Sequence, residues 1–271
     1  MLRQIIIRRL SDGSLIYSKA FTKVECTNTA IELELFNSVK NSKKLKLKFK
    51  DFSNFSLVCG ADDGYYLALL FDRTNPKTQI KEIFQSYMNQ LIQYTKTTEK
   101  LDRNKLDSIA TNVVQEVPVT VGFIGLGGVG KTTIIMLLSK RIINVIYSPS
   151  LGVVHEELQE KIGDYRVILT EFPGVYRGDW NKFIHDMDIL FIVTDSSQYN
   201  IKETKKVILP FVNSEAPYAK KYVIATKQDL PYALSLKEIS KHFNLKIFGL
   251  CTIEPESRQK LLNILRTAIL G

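Results

Sequence analysis

Eight residues near the middle of the chain, GLGGVGKT, have the composition and spacing of a phosphate-binding loop. They fit the pattern G-x-x-x-x-G-K-[ST] without a gap, from Gly125 to Thr132. Glycines let backbone N–H groups curl around phosphate oxygens, the lysine reaches the β- and γ-phosphates, and the threonine hydroxyl binds Mg²⁺. The sequence therefore predicts a site for a nucleoside phosphate together with Mg²⁺.

The elements on either side of this motif support the prediction. The stretch TVGFIG before the motif is typical of a strand, and KTTIIMLLSKRI after it is typical of a helix. A helix that begins at the loop turns its N-terminus toward the anion, which favours phosphate there. The residues that we expect to bind phosphate are Gly125, Gly127, Gly128, Val129, Gly130, Lys131, Thr132 and Thr133.

A second motif, TKQDL, follows the strand-like stretch KKYVIA nearer the C-terminus. It resembles the guanine-specificity motif [NT]-K-x-D of small GTPases. At the end of a strand, Asp229 can accept hydrogen bonds from N1–H and the exocyclic amine of guanine, whereas adenine offers neither donor. The stem of Lys227 would pack over the base, and Thr226 keeps a hydroxyl where asparagine is commonest. We therefore expect GTP or GDP as the ligand.

Three stretches make residues 117–271 resemble the Arf branch of the Ras-like superfamily. TKQDLPYALSLKEI is similar to the N-K-Q-D-L-P segment and following helix of that family, and SPSLGVVHEEL is similar to its switch I segment, P-T-[IL]-G. Cys251, Thr252 and Ile253 fall where the family carries Cys-Ala-Thr. The resemblance implies a P-loop small-GTPase fold, an α/β arrangement with a mostly parallel sheet and helices on both faces.

The same resemblance implies roles for individual residues. Ser150 matches the switch I threonine that completes the coordination of Mg²⁺, which it would share with Thr132. Gly174, in EFPG, matches the glycine whose N–H contacts the γ-phosphate, and Glu171 stands where aspartate is usual. The backbone N–H of Thr252 would lie near the guanine carbonyl. The guanine site would then consist of Thr226, Lys227, Asp229, Cys251 and Thr252.

Val175 is the main departure from the family pattern. Ras and Arf proteins place a glutamine at this position to orient the attacking water, which a valine side chain cannot do. We therefore expect an enzyme that hydrolyses GTP to GDP and phosphate slowly, with no catalytic residue assigned. His155, Glu156 and Arg177 are candidates to supply the missing function, although polar switch residues in contact with water account for them better.

Two functions stay open on this reasoning. One is a GTP-dependent switch whose segments near 147–157 and 171–183 respond to the γ-phosphate, with effectors and GAP-like or GEF-like regulators as partners. The other is a pseudoGTPase that holds GTP or GDP permanently and acts as an interaction module. Val175, Glu171 and Thr226 favour this alternative, because each departs from the family pattern.

Residues 1–100 contain no chemical motif and form a unit of their own. Strand-like and helical stretches follow one another there in the order ββαβββα, and the polar residues 101–116 read as a helical or irregular connector. The order resembles that of a longin-like domain, the profilin-like α+β module of vesicle-traffic proteins. The resemblance implies a module that binds partners, forms a homodimer or shields the switches.

Charge and cysteine content limit the binding partners and the cellular location that we expect. The net charge is +9, and residues 1–100 hold 16 Lys and Arg against 10 Asp and Glu. The basic run at 40–50 fits a strand with its lysines in water, with an anionic membrane surface as the alternative; it lacks the interleaved aromatics expected of a nucleic-acid site. Three scattered cysteines, no secretory signal and no membrane-spanning stretch predict a cytoplasmic protein, with peripheral membrane association left open.

Overall fold

The chain forms two compact units, Met1–Pro118 and Val119–Ile269. The structure is a computed structural model, and it describes residues 1–22, 29–40, 47–52, 55–72, 74–75, 77–98, 101–141, 152–174 and 180–271. None of the helices in these ranges is long and apolar enough to cross a membrane.

The first unit contains one antiparallel sheet of five strands. Its elements are β1 (Leu2–Arg9), β2 (Leu15–Ala20), α1 (Thr29–Val39), β3 (Lys48–Asp51), β4 (Phe55–Asp62), β5 (Tyr65–Asp72), α2 (Lys77–Thr97) and α3 (Arg103–Glu116). The strand order is β2-β1-β5-β4-β3, with every neighbouring pair antiparallel. The predicted order ββαβββα is therefore present, followed by a further helix.

Strands β4 and β5 are buried on both faces. Their successive side chains point alternately toward the two helices that cover the sheet, α1 and α2. One set of alternate side chains packs with α1 in a core of Leu35, Phe36, Val39, Leu57, Cys59, Ala61, Tyr66, Ala68 and Leu70. On the other face α2 contacts β4 and β5, and its apolar spacing buries Ile80, Ile83, Phe84, Tyr87, Met88 and Leu91. The periodicity of the sequence in α2 thus places its apolar residues in the core, as expected for a helix that covers a sheet.

The segment 101–116, expected to be a helical or irregular connector, forms α3 and packs within the first unit. Asp102 caps the helix by accepting a hydrogen bond from the backbone N–H of Asn104. The Tyr17 hydroxyl of β2 donates to Asp107 at 2.7 Å, and this bond lowers the pKa of the Asp107 carboxyl. Its apolar face buries Leu106, Ile109, Ala110, Val113 and Val114.

A buried ion pair links β1 to α1. The guanidinium of Arg8 donates to both carboxylate oxygens of Glu32, from Nε at 2.9 Å and from Nη2 at 2.8 Å, and Nη1 donates to the carbonyl of Gly13 at 3.1 Å. The Glu32 side chain is 4% exposed. A charge at such a depth depends on its partner, because an unpaired buried charge is costly.

The second unit contains a six-stranded sheet. Its strands are β6 (Val119–Ile124), β7 (Val154–Glu157), β8 (Val167–Glu171), β9 (Ile189–Asp195), β10 (Lys220–Thr226) and β11 (Ile247–Gly249). Its helices are α4 (Lys131–Leu138), α5 (Trp180–Phe183), α6 (Gln198–Glu203), α7 (Leu209–Glu215), α8 (Leu236–Ser240) and α9 (Ser257–Leu270). A π-helical turn, Thr204–Ile208, joins α6 to α7.

The strand order β11-β10-β9-β6-β8-β7 determines where a ligand can bind. All neighbouring strands are parallel except β7, which runs antiparallel to β8. Strand β6 lies between β8 and β9, so the chain leaves it toward one side of the sheet and later returns on the other. Such a reversal opens a crevice at the carboxyl ends of the strands, which is where α/β sheets bind ligands. The glycine-rich motif begins at this point.

We predict that Glu32→Gln destabilises the first unit by about 3 kcal/mol, because it removes one member of a buried ion pair and leaves the Arg8 charge without a counter-charge. Urea unfolding of the full chain, with hydrogen exchange of the β1 amides as the local probe, measures the loss. Glu34→Gln is the matched control, because Glu34 lies exposed on the same helix. Equal stability of the two variants would contradict the prediction.

Candidate nucleotide-binding site

The loop between β6 and α4 has a backbone that requires its glycines. Gly128 and Gly130 have φ angles of +73° and +96°, which residues with a side chain rarely adopt. At Gly125 an added Cβ would lie 2.0 Å from the carbonyl oxygen of Val193, so a side chain has no room there. The other residues predicted to bind phosphate in this stretch, Gly127, Val129 and Thr133, lie in the same loop and in the first turn of α4.

Lys131 is the first residue of α4 and is 4% exposed. Its ammonium group donates to the carbonyl of Gly125 at 3.0 Å and to that of Leu126 at 2.7 Å. Burial lowers the pKa of Lys131 to about 8, and the nearby carboxylate of Glu171 opposes this shift. A phosphate group in the loop would supply the negative charge that a buried ammonium requires.

Thr132 contacts the carboxylate at the end of β8. Its hydroxyl donates to Oε1 of Glu171 at 2.5 Å, and Glu171 is buried. Glu171 pairs with Phe123 near the end of β6, where the chain enters the loop that leads to α4. The strand pairing therefore places the Glu171 side chain near the start of α4. A hydroxyl that donates its hydrogen still has lone pairs that can bind a cation. These two side chains are therefore joined at the start of α4.

The donor set fits Mg²⁺ bound together with phosphate. Among the described residues, no group of three or more His, Cys, Asp or Glu side chains could hold a metal ion. Mg²⁺ prefers oxygen ligands and usually takes one or two from protein and the rest from phosphates and water. The Thr132 hydroxyl and the Glu171 carboxylate provide such oxygens. Ser150, predicted as a second ligand, lies outside the described residues.

Gly174 lies against the phosphate loop. An added Cβ would lie 2.5 Å from the backbone nitrogen of Gly127 and 2.6 Å from the carbonyl oxygen of Leu126. The chain reaches this place because Phe172, after β8, donates its backbone N–H to the carbonyl of Phe123 at 3.0 Å. The structure thus brings Gly174 beside the loop, whereas Val175 lies outside the described residues.

The guanine motif TKQD begins at the end of β10 and is tied to the phosphate loop by Thr226. The Thr226 hydroxyl is buried; it lies 2.7 Å from the carbonyl of Val129 and 3.2 Å from that of Thr194, and it can donate to one of them at a time. The next residue, Lys227, has a φ angle of +55° and extends its ammonium to 3.4 Å from a carboxylate oxygen of Asp195. The loop therefore leaves the strand with a defined turn.

Asp229 and Cys251 come together at the same edge of the sheet. The Cys251 thiol donates to Oδ1 of Asp229 at 3.2 Å, and burial and the carboxylate raise the pKa of the thiol. Strand β11 pairs with β10, which brings the residues after each strand side by side. The Ser257 hydroxyl donates to the carbonyl of Cys251, and Thr252 follows, partly exposed. The structure thus brings the predicted guanine-site residues together at the ends of two neighbouring strands.

The sequence motifs do not select Asp195, although its side chain organises this edge. Its carboxylate accepts from the backbone and hydroxyl of Ser197, from the amide of Asn200 at 2.6 Å, and from Lys227. These bonds lower the pKa of Asp195 against the effect of burial, which is the largest influence and raises it. The available signal was the polar run DSSQYN directly after an apolar strand.

The candidates for a missing catalytic group have partners elsewhere. Nδ1 of His155 lies 2.9 Å from the hydroxyl of Thr170, and Glu156 forms an ion pair with Arg141. Both residues belong to β7, the antiparallel edge strand. Arg177 lies outside the described residues. No catalytic role follows from these contacts.

Comparisons with known proteins agree with this geometry. A sequence model of the ADP-ribosylation factor family matches residues 106–268, more than half of the chain. ADP-ribosylation factor-like protein 2 of Dictyostelium discoideum is 30% identical over 136 residues, which are 49% of this chain and 72% of that protein. ADP-ribosylation factor-like protein 1 of Saccharomyces cerevisiae is 32% identical over 126 residues, 45% of this chain and 67% of that protein. The mixed α/β architecture and the family match together fit the predicted small-GTPase fold.

We expect Lys131→Met to weaken nucleotide binding about 100-fold, because it removes a charged donor whose hydrogen bonds are worth about 3 kcal/mol in a buried site. The fold should persist, since methionine fills similar space without a buried charge. Titration with a fluorescent GDP analogue measures the affinity, and the exposed Lys237→Met is the control. Unchanged affinity of Lys131→Met would rule out a phosphate-binding role for this lysine.

Proposed function

Since the chain belongs to the ADP-ribosylation factor family, we propose that it is a switch that binds GTP and GDP with Mg²⁺ and hydrolyses GTP slowly. The observation that carries this proposal is the bond from the Thr226 hydroxyl to the carbonyl of Val129. It joins a glycine-rich loop to a motif that matches the chemistry of guanine. One edge of the sheet therefore offers groups for both ends of a guanine nucleotide.

The phosphate end of the nucleotide would lie over the loop. The N-terminus of α4 and the ammonium of Lys131 provide positive charge, and the loop glycines let backbone N–H groups approach phosphate oxygens. The Mg²⁺ would be held by Thr132 and Ser150. Glu171 would assist through its hydrogen bond to Thr132. When bound, this ion neutralises negative charge on the phosphates. The backbone of Gly174 would contact the γ-phosphate beside it.

The base would lie beside the residues that follow β10 and β11. Asp229 would accept hydrogen bonds from N1–H and the exocyclic amine of guanine, and the N–H of Thr252 would approach the guanine carbonyl. The stem of Lys227, held near Asp195, would pack over the ring. Adenine offers no donors to Asp229, so the carboxylate would favour guanine over adenine.

Slow hydrolysis follows from the residue after Gly174. Valine cannot orient a water molecule, and His155 and Glu156, on the edge strand, already contact Thr170 and Arg141. A partner protein would then set the rate at which the switch turns off. The same departure supports the second candidate, a pseudoGTPase that holds its nucleotide without turnover.

The first unit would serve as the interaction module of the switch. Its antiparallel sheet and order of elements support the longin-like interpretation, and its sequence offers no catalytic motif. We propose that it recruits effectors, regulators or an anionic membrane surface, or pairs with a second copy, in a cytoplasmic setting. Nucleic acid is not among the proposed partners.

Nucleotide binding and turnover of the purified full chain test the proposal. We expect fluorescent GDP and GTP analogues to bind at least 100-fold more tightly than ADP and ATP analogues, and Mg²⁺ to strengthen binding. A single-turnover assay should show GTP cleaved slowly. Tight binding without turnover would select the pseudoGTPase, whereas equal affinity for adenine and guanine nucleotides would refute both candidates.

Asp229→Asn should exchange the preference for guanine for one for xanthine. The asparagine amide is a donor that matches the xanthine C2 carbonyl, whereas it repels the exocyclic amine of guanine. We expect GDP to bind about 100-fold more weakly and xanthosine diphosphate to gain affinity, as measured by calorimetry. The exposed Asp186→Asn is the control. A variant that keeps its GDP affinity would show that Asp229 does not read the base.

A further inference from the structure

Ser196 lies directly after β9 and uses all of its polar groups on the segment that carries the guanine motif. Its backbone N–H donates to the carbonyl of Thr226 at 3.0 Å, and its hydroxyl donates to the same oxygen at 2.6 Å. Its carbonyl accepts from the N–H of Leu234 at 2.8 Å. The hydroxyl also accepts from the side-chain amide of Gln228. Ser196 is 1% exposed, so these partners replace water completely.

The bonds of Ser196 fix both ends of one loop. Thr226 lies where the loop leaves β10, and Leu234 lies just before α8 begins. Between them the loop makes two turns, with Leu230 N–H donating to the carbonyl of Lys227 and the N–H of residue 233 to that of Leu230. A loop held at both ends by one buried residue, through its backbone and its hydroxyl, has few conformations left to it.

Gln228 connects this frame to the motif itself. It stands between Lys227 and Asp229, and its amide extends to the Ser196 hydroxyl and to 3.4 Å from the carbonyl of Leu234. Asp229 is exposed and accepts from the Cys251 thiol, which is a weak donor. The orientation of the Asp229 carboxylate therefore depends chiefly on the backbone that Ser196 and Gln228 hold.

We propose that Ser196 is a positioning residue for guanine recognition. It would act through Gln228 and through the carbonyl of Thr226, and it would hold the Asp229 carboxylate toward the exocyclic amine of the base. This inference rests on the proposed function. Because the phosphate loop has its own contacts, the loss of Ser196 changes the recognition of the base more than that of the phosphates.

The test compares GDP with inosine diphosphate, which lacks the exocyclic amine. Calorimetry on the full chain measures both affinities for the unchanged protein and for Ser196→Ala. We expect the ratio of GDP to inosine diphosphate affinity to fall about tenfold in the variant, which corresponds to one hydrogen bond to a charged group. A ratio that stays the same in a folded variant overturns the proposal. A general loss of stability would lower the affinities for GDP and inosine diphosphate alike and would leave their ratio unchanged.

Gln228→Met supplies a second variant that keeps the volume of the side chain and removes the amide. It should lower the same ratio. The double variant should lower the ratio no further than Ser196→Ala alone, because both substitutions break the same bond, the one between the Gln228 amide and the Ser196 hydroxyl. If Ser196→Ala does not fold, Gln228→Met decides the matter by the same criterion.

Ser235→Ala is the matched control, because it removes a serine hydroxyl bond at the end of the same loop, on the exposed surface, without touching the motif. Ser235 caps α8 in a reciprocal pair with Glu238, so its loss should lower the unfolding midpoint and leave the ratio unchanged. A falling ratio in this control would overturn the assignment to Ser196. An unchanged protein that does not prefer GDP to adenosine diphosphate refutes the proposed function itself and the inference with it.

Discussion

The site depends on one buried hydrogen bond, from the hydroxyl of Thr226 to the carbonyl of Val129. Its two residues are far apart in sequence and lie on different elements, the end of β10 and the phosphate loop. Leaving a buried carbonyl without a donor is costly, so the loop and the strand end are held at a fixed separation. In the proposed function a guanine nucleotide would contact both, and this bond would then set the distance between the phosphate-binding and base-binding groups.

The parallel sheet explains why so many residues of the candidate site meet at one edge. Residues that end neighbouring parallel strands lie side by side, and Glu171, Asp195 and Thr226 each end a strand of this sheet. The antiparallel sheet of the first unit has no such edge, because alternate strand ends point in opposite directions. The direction of the strands thus explains why the candidate site residues gather in the second unit and not in the first.

The sequence predicted the parts of the molecule that local rules govern. The glycine spacing, the apolar periodicity of α2 and the position of Lys131 follow from backbone conformation, helical geometry and motif chemistry. The contacts of Ser196 with Thr226 and of Asp195 with Lys227 were not predicted, because they join residues about thirty positions apart that only the pairing of β9 with β10 brings together. The packing of α3 in the first unit was open for the same reason, since its bond to Tyr17 spans 90 residues.

Gly174 limits how far the glycine-rich loop can move relative to the end of β8. Its backbone lies against the backbone of Gly127 and Leu126 with no side chain between them. Flexible side chains can absorb small displacements by changing rotamer, whereas two touching main chains cannot. A shift of the loop toward Gly174 would therefore have to displace the backbone of Gly174 itself.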